Sequence, residues 1–396
     1  MFNDWACDAD NHFFEPRDAF SRHIERKYAD LAIRPIDPTG ATSDLYIRDR
    51  KLYSSSPAKF DVTEPPGSLK AILRSKELTS YYSARSSEHM LPEFRDRAAR
   101  LRLMDTQRLE KALMLPSYGV MFEWETSQYN LDALYANLRS LNRYIEEDWG
   151  FRYENRIFGV PLVSLFDIDQ AVAEAKRLID AGAVCLNLRA GPVNGKAPSH
   201  PDFDPFWRLV NEAGVLVSFH VGDSGHNEFF SAAWGEAPRV TPREISAFQW
   251  AFGHGDAAIM QTLGACVFQN LFGRFPNLKI LSIENGSGWI RYFLRIIDKS
   301  AKMGRFGPWI GGTLDERPSN IIRRHVAVTP YHEDDAVDLV KLIGAENVLF
   351  GSDYPHSEGL AEPLEFAEGL NGLDDNEQRL IMRDNLFALL AKATAA

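Results

Sequence analysis

The sequence predicts an α/β chain folded as a (β/α)8 TIM barrel, with a small inserted subdomain after the first strand and a long loop after the fifth. Two observations predict it. Short apolar runs, each ending on a polar residue, alternate with amphipathic stretches along the 396 residues, the pattern of βα units on a parallel sheet. Eight such runs can be counted, the number that closes a barrel. A doubly wound open sheet is the alternative arrangement of the same units.

The runs are, in order, Trp5–His12, Lys111–Ser117, Ile157–Phe166, Ala183–Arg189, Val215–His220, Leu278–Glu284, His325–Thr329 and Asn347–Asp353. The clearest helical stretch between them is Asp169–Ala181, with Asp167 or Asp169 as N-cap and Gly182 near its end. Others are Asp204–Ala213, Gln261–Phe275, Trp289–Ala301 and Asp334–Ile343. Two connections are too long for plain loops. The one after the first run contains DLYIRDRKLYSS, which predicts a hairpin (Leu45–Ile47 with Lys51–Tyr53) turning at Arg48–Asp49. It marks residues 37–100 as a subdomain inserted into a single unit spanning 1–396. The one after the fifth run, Val221–Ala258, carries Phe229, Phe230, Trp234, Phe248, Trp250 and Phe252. Long ordered loops of this kind are usually lids; aromatic packing at an oligomer interface is the competing reading.

Composition narrows the class of function. A net charge of −11 argues against a nucleic-acid partner. Three scattered cysteines, Cys7, Cys185 and Cys266, with no C-x-x-C pair, suit reduced thiols in the cytoplasm. The N-terminal residues lack the basic and apolar regions of a signal peptide, and no stretch approaches a membrane span, so no membrane partner is expected.

In a barrel the chemistry sits where the strands end. The first run ends on Asp8-Ala9-Asp10-Asn11-His12; side chains alternate along a strand, so Asp8, Asp10 and His12 are expected on one face. The fifth run ends on His220, the sixth on Glu284 and the eighth on Asp353. One such residue alone would be a structural histidine or a helix cap. Asp10, His12, His220 and Asp353, from three strands and one barrel mouth, make a site for a divalent transition metal. His356 follows Asp353 by three residues and suits either an orienting partner or a proton donor. His226 and His254 in the long loop are further candidates. Arg189, at the fourth strand end, could grip a substrate carboxylate, and Trp289 could contact substrate.

The segments DADNHFFEP (Asp8–Pro16), HPDFDPFWRLVNEAG (His200–Gly214), LVSFHVG (Leu216–Gly222), FGRFPNLKILSIENGSGW (Phe272–Trp289) and LFGSDYPHSEG (Leu349–Gly359) resemble the amidohydrolase superfamily, in the branch containing aminocarboxymuconate semialdehyde decarboxylase. The resemblance implies Asp10 in place of the first histidine of a His-x-His pair, with His12 as the second, His220 as the fifth-strand ligand and Asp353 as the last. It implies a catalytic histidine where this chain has Glu284. No lysine ends the fourth strand to bridge two metals, and Lys196 lies too far beyond Arg189, so one ion, zinc or manganese, is expected. Homodimers are common in the family.

Two chemistries fit. One is non-oxidative decarboxylation of an aromatic or unsaturated acid, with Glu284, Asp353, His356 or His254 handling protons. The other is hydrolysis of an amide, lactone or ester, with the ion lowering the pKa of water. A metal-stabilised barrel that only binds a ligand is the non-enzymatic alternative.

Overall fold

The first predicted run folds as β1 (Ala6–Phe13), and all of its residues are buried, as a strand covered on both faces of a parallel sheet must be. The structure, a computed structural model, describes residues 2, 4–37, 43–74 and 88–394. After β1 come β2 (Ile33–Ile36), β3 (Asp44–Ile47), β4 (Arg50–Leu52), β5 (Val62–Thr63), β6 (Glu88–His89), β7 (Leu109–Pro116), β8 (Ile157–Gly159), β9 (Cys185–Arg189), β10 (Leu216–His220), β11 (Ile280–Ile283) and β12 (Val326–Val328).

Two parallel sets form a ring. β1 pairs with β7 and β7 with β8; β9, β10, β11 and β12 pair in that order. Backbone hydrogen bonds join the sets at both seams. On one side Val163 donates to Asn187 and Asn187 to Pro161. On the other, Leu349 donates to Val328, Ala9 to Phe350 and His12 to Tyr354. The eighth run therefore lies between β12 and β1, although its backbone turns at Asp353 (φ 53°) and makes no regular ladder. Eight parallel segments close the predicted barrel.

Inside the ring, Cys7, Ala9, Cys185, Leu216, Leu281 and Ala327 pack together. Leu386 and Leu390 of the helix Asn385–Ala393 join the same cluster, closing the end of the barrel where the strands begin. Outside it, amphipathic helices supply the larger core. The helix Ile168–Asp180 is capped by Asp167, whose carboxylate accepts from the amides of Asp169 and Gln170. Asp204–Ala213 ends where Gly214 adopts the left-handed conformation. The stretch expected as one helix at Gln261–Phe275 is instead Asp256–Phe268 and Leu271–Arg274, broken because Asn270 between them is left-handed (φ 50°). The last two stretches fold as Ile290–Met303 and Ala336–Ile343.

In the connection after β1, the expected hairpin forms between β3 and β4, with Ile47 opposite Arg50, and β2 adds a third strand beside β3. Ile33, Leu45, Ile47 and Leu52 belong to the main hydrophobic core. Residues 38–42 and 75–87 of this region lie outside the described residues. In the connection after β10, Phe248 on the helix Ala247–Gly253 packs against Phe230, Trp234 and Phe252. Among the described residues no helix is long and apolar enough to cross a membrane.

Leu390 is 1 % exposed. Truncation to alanine in so close-packed a site removes transfer energy and leaves a cavity, costing about 2–5 kcal/mol. We expect Leu390→Ala to lower the denaturant midpoint, read by circular dichroism, and Leu390→Met to keep most of it.

Candidate metal centre

The mouth of the barrel is shaped first by an irregularity in β1. Asp8 pairs with Ala112 and Asn11 with Met114, so β1 carries one extra residue between them. The bulge changes which side chains face inward. Cys7 and Ala9 line the lumen, and beyond the bulge Asp10 and His12 meet over it. Asp8 does not share their face, contrary to the expectation from simple alternation. Its buried carboxylate instead accepts from the amide (3.0 Å) and hydroxyl (2.5 Å) of Ser352 and from Asn11 (2.9 Å), tying β1 to the closing segment.

Two strand ends and the closing segment then bring their donors together. Asp353 donates its amide to the Asp10 carbonyl at 2.8 Å, setting the two acids side by side. Gly351 is needed here: a Cβ at that position would stand 2.7 Å from Cβ of Asp10. His220, the last residue of β10, sets its Nδ1 2.7 Å from the Val221 carbonyl. Nδ1 must carry the proton for that bond, so Nε2 of the neutral ring presents a lone pair to the mouth. That Nε2 lies 3.1 Å from Nε2 of His12, 3.0 Å from Glu284 Oε2 and 3.5 Å from Asp10 Oδ1. His12 Nε2 lies 3.2 Å from Asp10 Oδ1 and 3.6 Å from Asp353 Oδ1. Ligand atoms of Asp10, His12, His220 and Glu284 all fall within 4.8 Å of one another, as do those of His12, Asp353 and His356.

These atoms are acceptors facing acceptors, so a positive charge must sit among them, as a proton or as an ion. Spacings of 3.0–3.6 Å match adjacent ligands of an ion whose bonds are about 2.0–2.2 Å long. The residues fit a divalent metal. Without one, the buried acids compete for protons. Burial pushes the Asp353 carboxyl well up, helped by the charges of Glu284 and Asp10. Burial pushes Glu284 up too, against the hydrogen bond from His220. His220 is held well above the usual histidine range: burial opposes its charge, but Asp10 and Glu284 outweigh it. Burial, with His356 nearby, lowers His12 to about 3. An ion at the centre would replace the proton on His220 and relieve the crowded carboxylates.

Glu284 and Asp353 share a feature no pattern could reveal: both are non-glycine residues at φ 53°, a conformation costly enough to need support. Glu284 receives it from Thr329 Oγ1, which accepts its amide proton (3.0 Å), and from the Tyr331 hydroxyl, which donates to its carbonyl (3.1 Å). His356 sets Nδ1 2.6 Å from Asp353 Oδ1 and Nε2 2.9 Å from Ser117 Oγ. Glu358, which the sequence reading passed over, brings a carboxylate within the same 4.8 Å of Glu284 and Asp353; its signal was an acid five residues after a strand-end aspartate.

Other candidates stand elsewhere. Arg189 is turned away from the donors: its guanidinium donates to the carbonyls of Ala190 (3.1 Å), Ser224 (2.6 Å) and Pro192 and lies under Trp124. It fastens two mouth loops together, while its Nε, 3.8 Å from Glu123 Oε1, has no hydrogen-bond partner. Trp289 is 6 % exposed, packs on Phe293 and donates its indole N–H to the carbonyls of Asn285 and Gly286. His226 bonds Ser224 and Gln261. His254 stands apart from the clustered donors, on the wall of an open cleft that also includes Trp124, Glu125, Asp223, Glu228 and Arg239. Burial lowers His254 to about 4. A smaller cavity lined by His220, Gly222 and Ser224 shares the latter two residues with this cleft as a common wall.

A family model described as amidohydrolase matches residues 7–389. No curated protein matches the chain. Among solved structures, an amidohydrolase of Mycobacterium avium subsp. paratuberculosis K-10 is 34% identical over 98% of this chain and 100% of its own, with a TM-score of 0.86. A 5-carboxyvanillate decarboxylase of Novosphingobium aromaticivorans DSM 12444, complexed with manganese and 4-hydroxy-3-methoxy-5-nitrobenzoic acid, is 16% identical over 98% and 96%, with a TM-score of 0.63. A dihydroxybenzoic acid decarboxylase of Polaromonas sp. JS666, with manganese and 2-nitroresorcinol, is 15% identical over 98% and 97%, with a TM-score of 0.61. At these last two identities the likeness is one of fold.

If Asp10, His12, His220 and Asp353 hold one ion, His220→Ala and Asp353→Asn should each retain well under one divalent ion per chain by elemental analysis after dialysis. Full occupancy in both variants would remove these residues from the ligand set.

Proposed function

The chain belongs to the amidohydrolase superfamily of metal-dependent enzymes, and from that premise we propose that it is a mononuclear decarboxylase, a carboxy-lyase acting on an aromatic or unsaturated carboxylic acid. The observation that carries the reading is Glu284: a buried acid whose Oε2 is 3.0 Å from His220 Nε2, inside the donor cluster and raised toward its protonated form. The manganese-bound decarboxylases of the same fold lend support.

Asp10, His12, His220 and Asp353 would hold one divalent ion, manganese or zinc, which supplies a positive anchor for the substrate carboxylate and an adjacent hydroxyl or carbonyl. Glu284 gives its proton to the carbon that bears the carboxylate. The new C–H bond takes an electron pair from the unsaturated system. The C–C bond to the carboxylate then breaks, its pair returns to that system, and CO2 leaves. Glu284, left as a carboxylate, regains a proton from solvent. His356 and Asp353 keep the mouth in register during the exchange. His254 is neutral near pH 7 and serves as a polar wall of the cleft rather than a proton store.

The cleft narrows the substrate. Glu125, Asp223 and Glu228 line it, and Arg239, its one guanidinium, is engaged with Glu228 at 2.7 Å. A second carboxylate on the substrate would face this acidic wall, whereas a flat neutral ring can lie along Trp124. We propose a monocarboxylic substrate, with residues 37–100 as an inserted lid on a single catalytic unit. The net charge of −11 and the free, buried Cys7, Cys185 and Cys266 support a cytoplasmic protein with no nucleic-acid partner, and the homodimer and the lack of a membrane partner remain part of the proposal.

A hydrolase reading is favoured by one observation, the description of the 34%-identical relative as an amidohydrolase. Glu284 would then protonate a leaving nitrogen or oxygen. A screen of aromatic acids, amides, lactones and esters separates the two: CO2 release that stops on chelation supports the decarboxylase, and hydrolysis without CO2 overturns it. A chain that binds ligands equally well after chelation and turns over nothing would be a binding barrel.

Glu284→Gln should keep its metal and lose turnover by about 10²-fold or more, the usual contribution of a positioned acid; wild-type rates would exclude Glu284 from proton transfer. Among isosteric aromatic acids, those with a second carboxylate remote from the first should show the higher KM, and Asp223→Asn with Glu228→Gln should narrow the gap.

A further inference from the structure

Glu15 is fully buried, carries a carboxylate and takes no part in the cluster of donors. Its two oxygens accept three consecutive backbone amides just past β7: Ser117 at 3.2 Å, Tyr118 at 3.0 Å and Gly119 at 2.7 Å. Three amides converging on one carboxylate form an anion-holding nest, here filled by the protein's own side chain. The grip fixes the segment that presents Ser117. The Ser117 hydroxyl lies 2.8 Å from the Phe13 carbonyl and 2.9 Å from His356 Nε2. Nδ1 of the same ring lies 2.6 Å from Asp353 Oδ1 and donates to that carboxylate, so Nε2 of the neutral ring accepts from the Ser117 hydroxyl, which holds the plane of the ring.

We infer that Glu15 and Ser117 are positioning residues for the metal site: Glu15 sets Ser117, Ser117 sets His356, and His356 sets the carboxylate of Asp353. The relay crosses from the end of β1 to the end of β7 and on to the closing segment, so it orients a ligand from outside the ligand set. The inference rests on Asp353 being a metal ligand. The two ends of the relay are not equivalent. Glu15→Gln keeps an oxygen for Tyr118 and Gly119 but turns an amide group toward the Ser117 N–H, so it loosens the step that matters while sparing the rest of the nest.

The test is the affinity of the purified, metal-stripped full chain for Mn²⁺ alone, measured by calorimetry, with thermal midpoints recorded beside it. The second readout is the visible spectrum of the Co²⁺-loaded chain, which reports ligand geometry. Ser117→Ala should weaken Mn²⁺ binding about 10–100-fold, the usual effect of losing an outer hydrogen-bonding partner, and shift the Co²⁺ bands. Ser117→Thr, which keeps the hydroxyl, should restore both. Glu15→Gln should weaken binding in the same direction, and the double variant should bind no more weakly than the worse single one, because the residues act in series. Native affinity and an unshifted spectrum in Ser117→Ala would overturn the relay. So would a Glu15→Gln variant with a lowered thermal midpoint and native Mn²⁺ affinity. Failure of the unaltered chain to bind Mn²⁺ would instead overturn the metal reading, and the relay with it.

Discussion

Four acceptor atoms that face one another across about 3 Å cannot coexist without a positive charge between them, and the mouth of this barrel is built around that constraint. Nε2 of His12 and Nε2 of His220 stand 3.1 Å apart, with carboxylate oxygens of Asp10 and Glu284 beside them. Three structural devices deliver these atoms and the carboxylate of Asp353. A bulge turns Asp10 and His12 inward; a bond to the Val221 carbonyl turns His220; left-handed backbone turns Glu284 and Asp353. Much of the polar bonding around the mouth, from Asp8 on Ser352 to Tyr331 on the Glu284 carbonyl, keeps those devices in place against the repulsion they create.

The sequence made the architecture readable because parallel strands buried on both faces are short apolar runs, and their ends are marked by the residues the chemistry needs. Asp10, His12, His220, Glu284 and Asp353 could all be picked out as strand-end residues, and the structure gathers them at one mouth. What could not be read was anything that depends on a single backbone torsion or on a distant partner. Alternation assigned Asp8 to the same face as Asp10 because a bulge has no signature in composition. Gln261–Phe275 reads as one helix because Asn270 is tolerated in a helical pattern even though it is left-handed here. Arg189 and Trp289 both sit at strand or helix ends that suit a substrate contact. Only the structure shows that the terminal nitrogens of Arg189 bond loop carbonyls and that the Trp289 indole N–H caps a turn.

Aromatic residues in the loop after β10 divide in a way their spacing did not foretell. Phe230 and Phe248 are half-buried, while Phe229, Trp234, Trp250 and Phe252 are 43%, 70%, 55% and 53% exposed. The same loop contributes Asp223, Glu228 and His254 to the wall of the cleft.

The amide of Asp353 bonds the carbonyl of Asp10, so the donor set includes residues separated by nearly the whole chain. Closing the ring and completing the site are one event. A chain emerging from the ribosome presents Asp10, His12 and His220 long before Asp353 exists, and no partially made barrel can hold the full set.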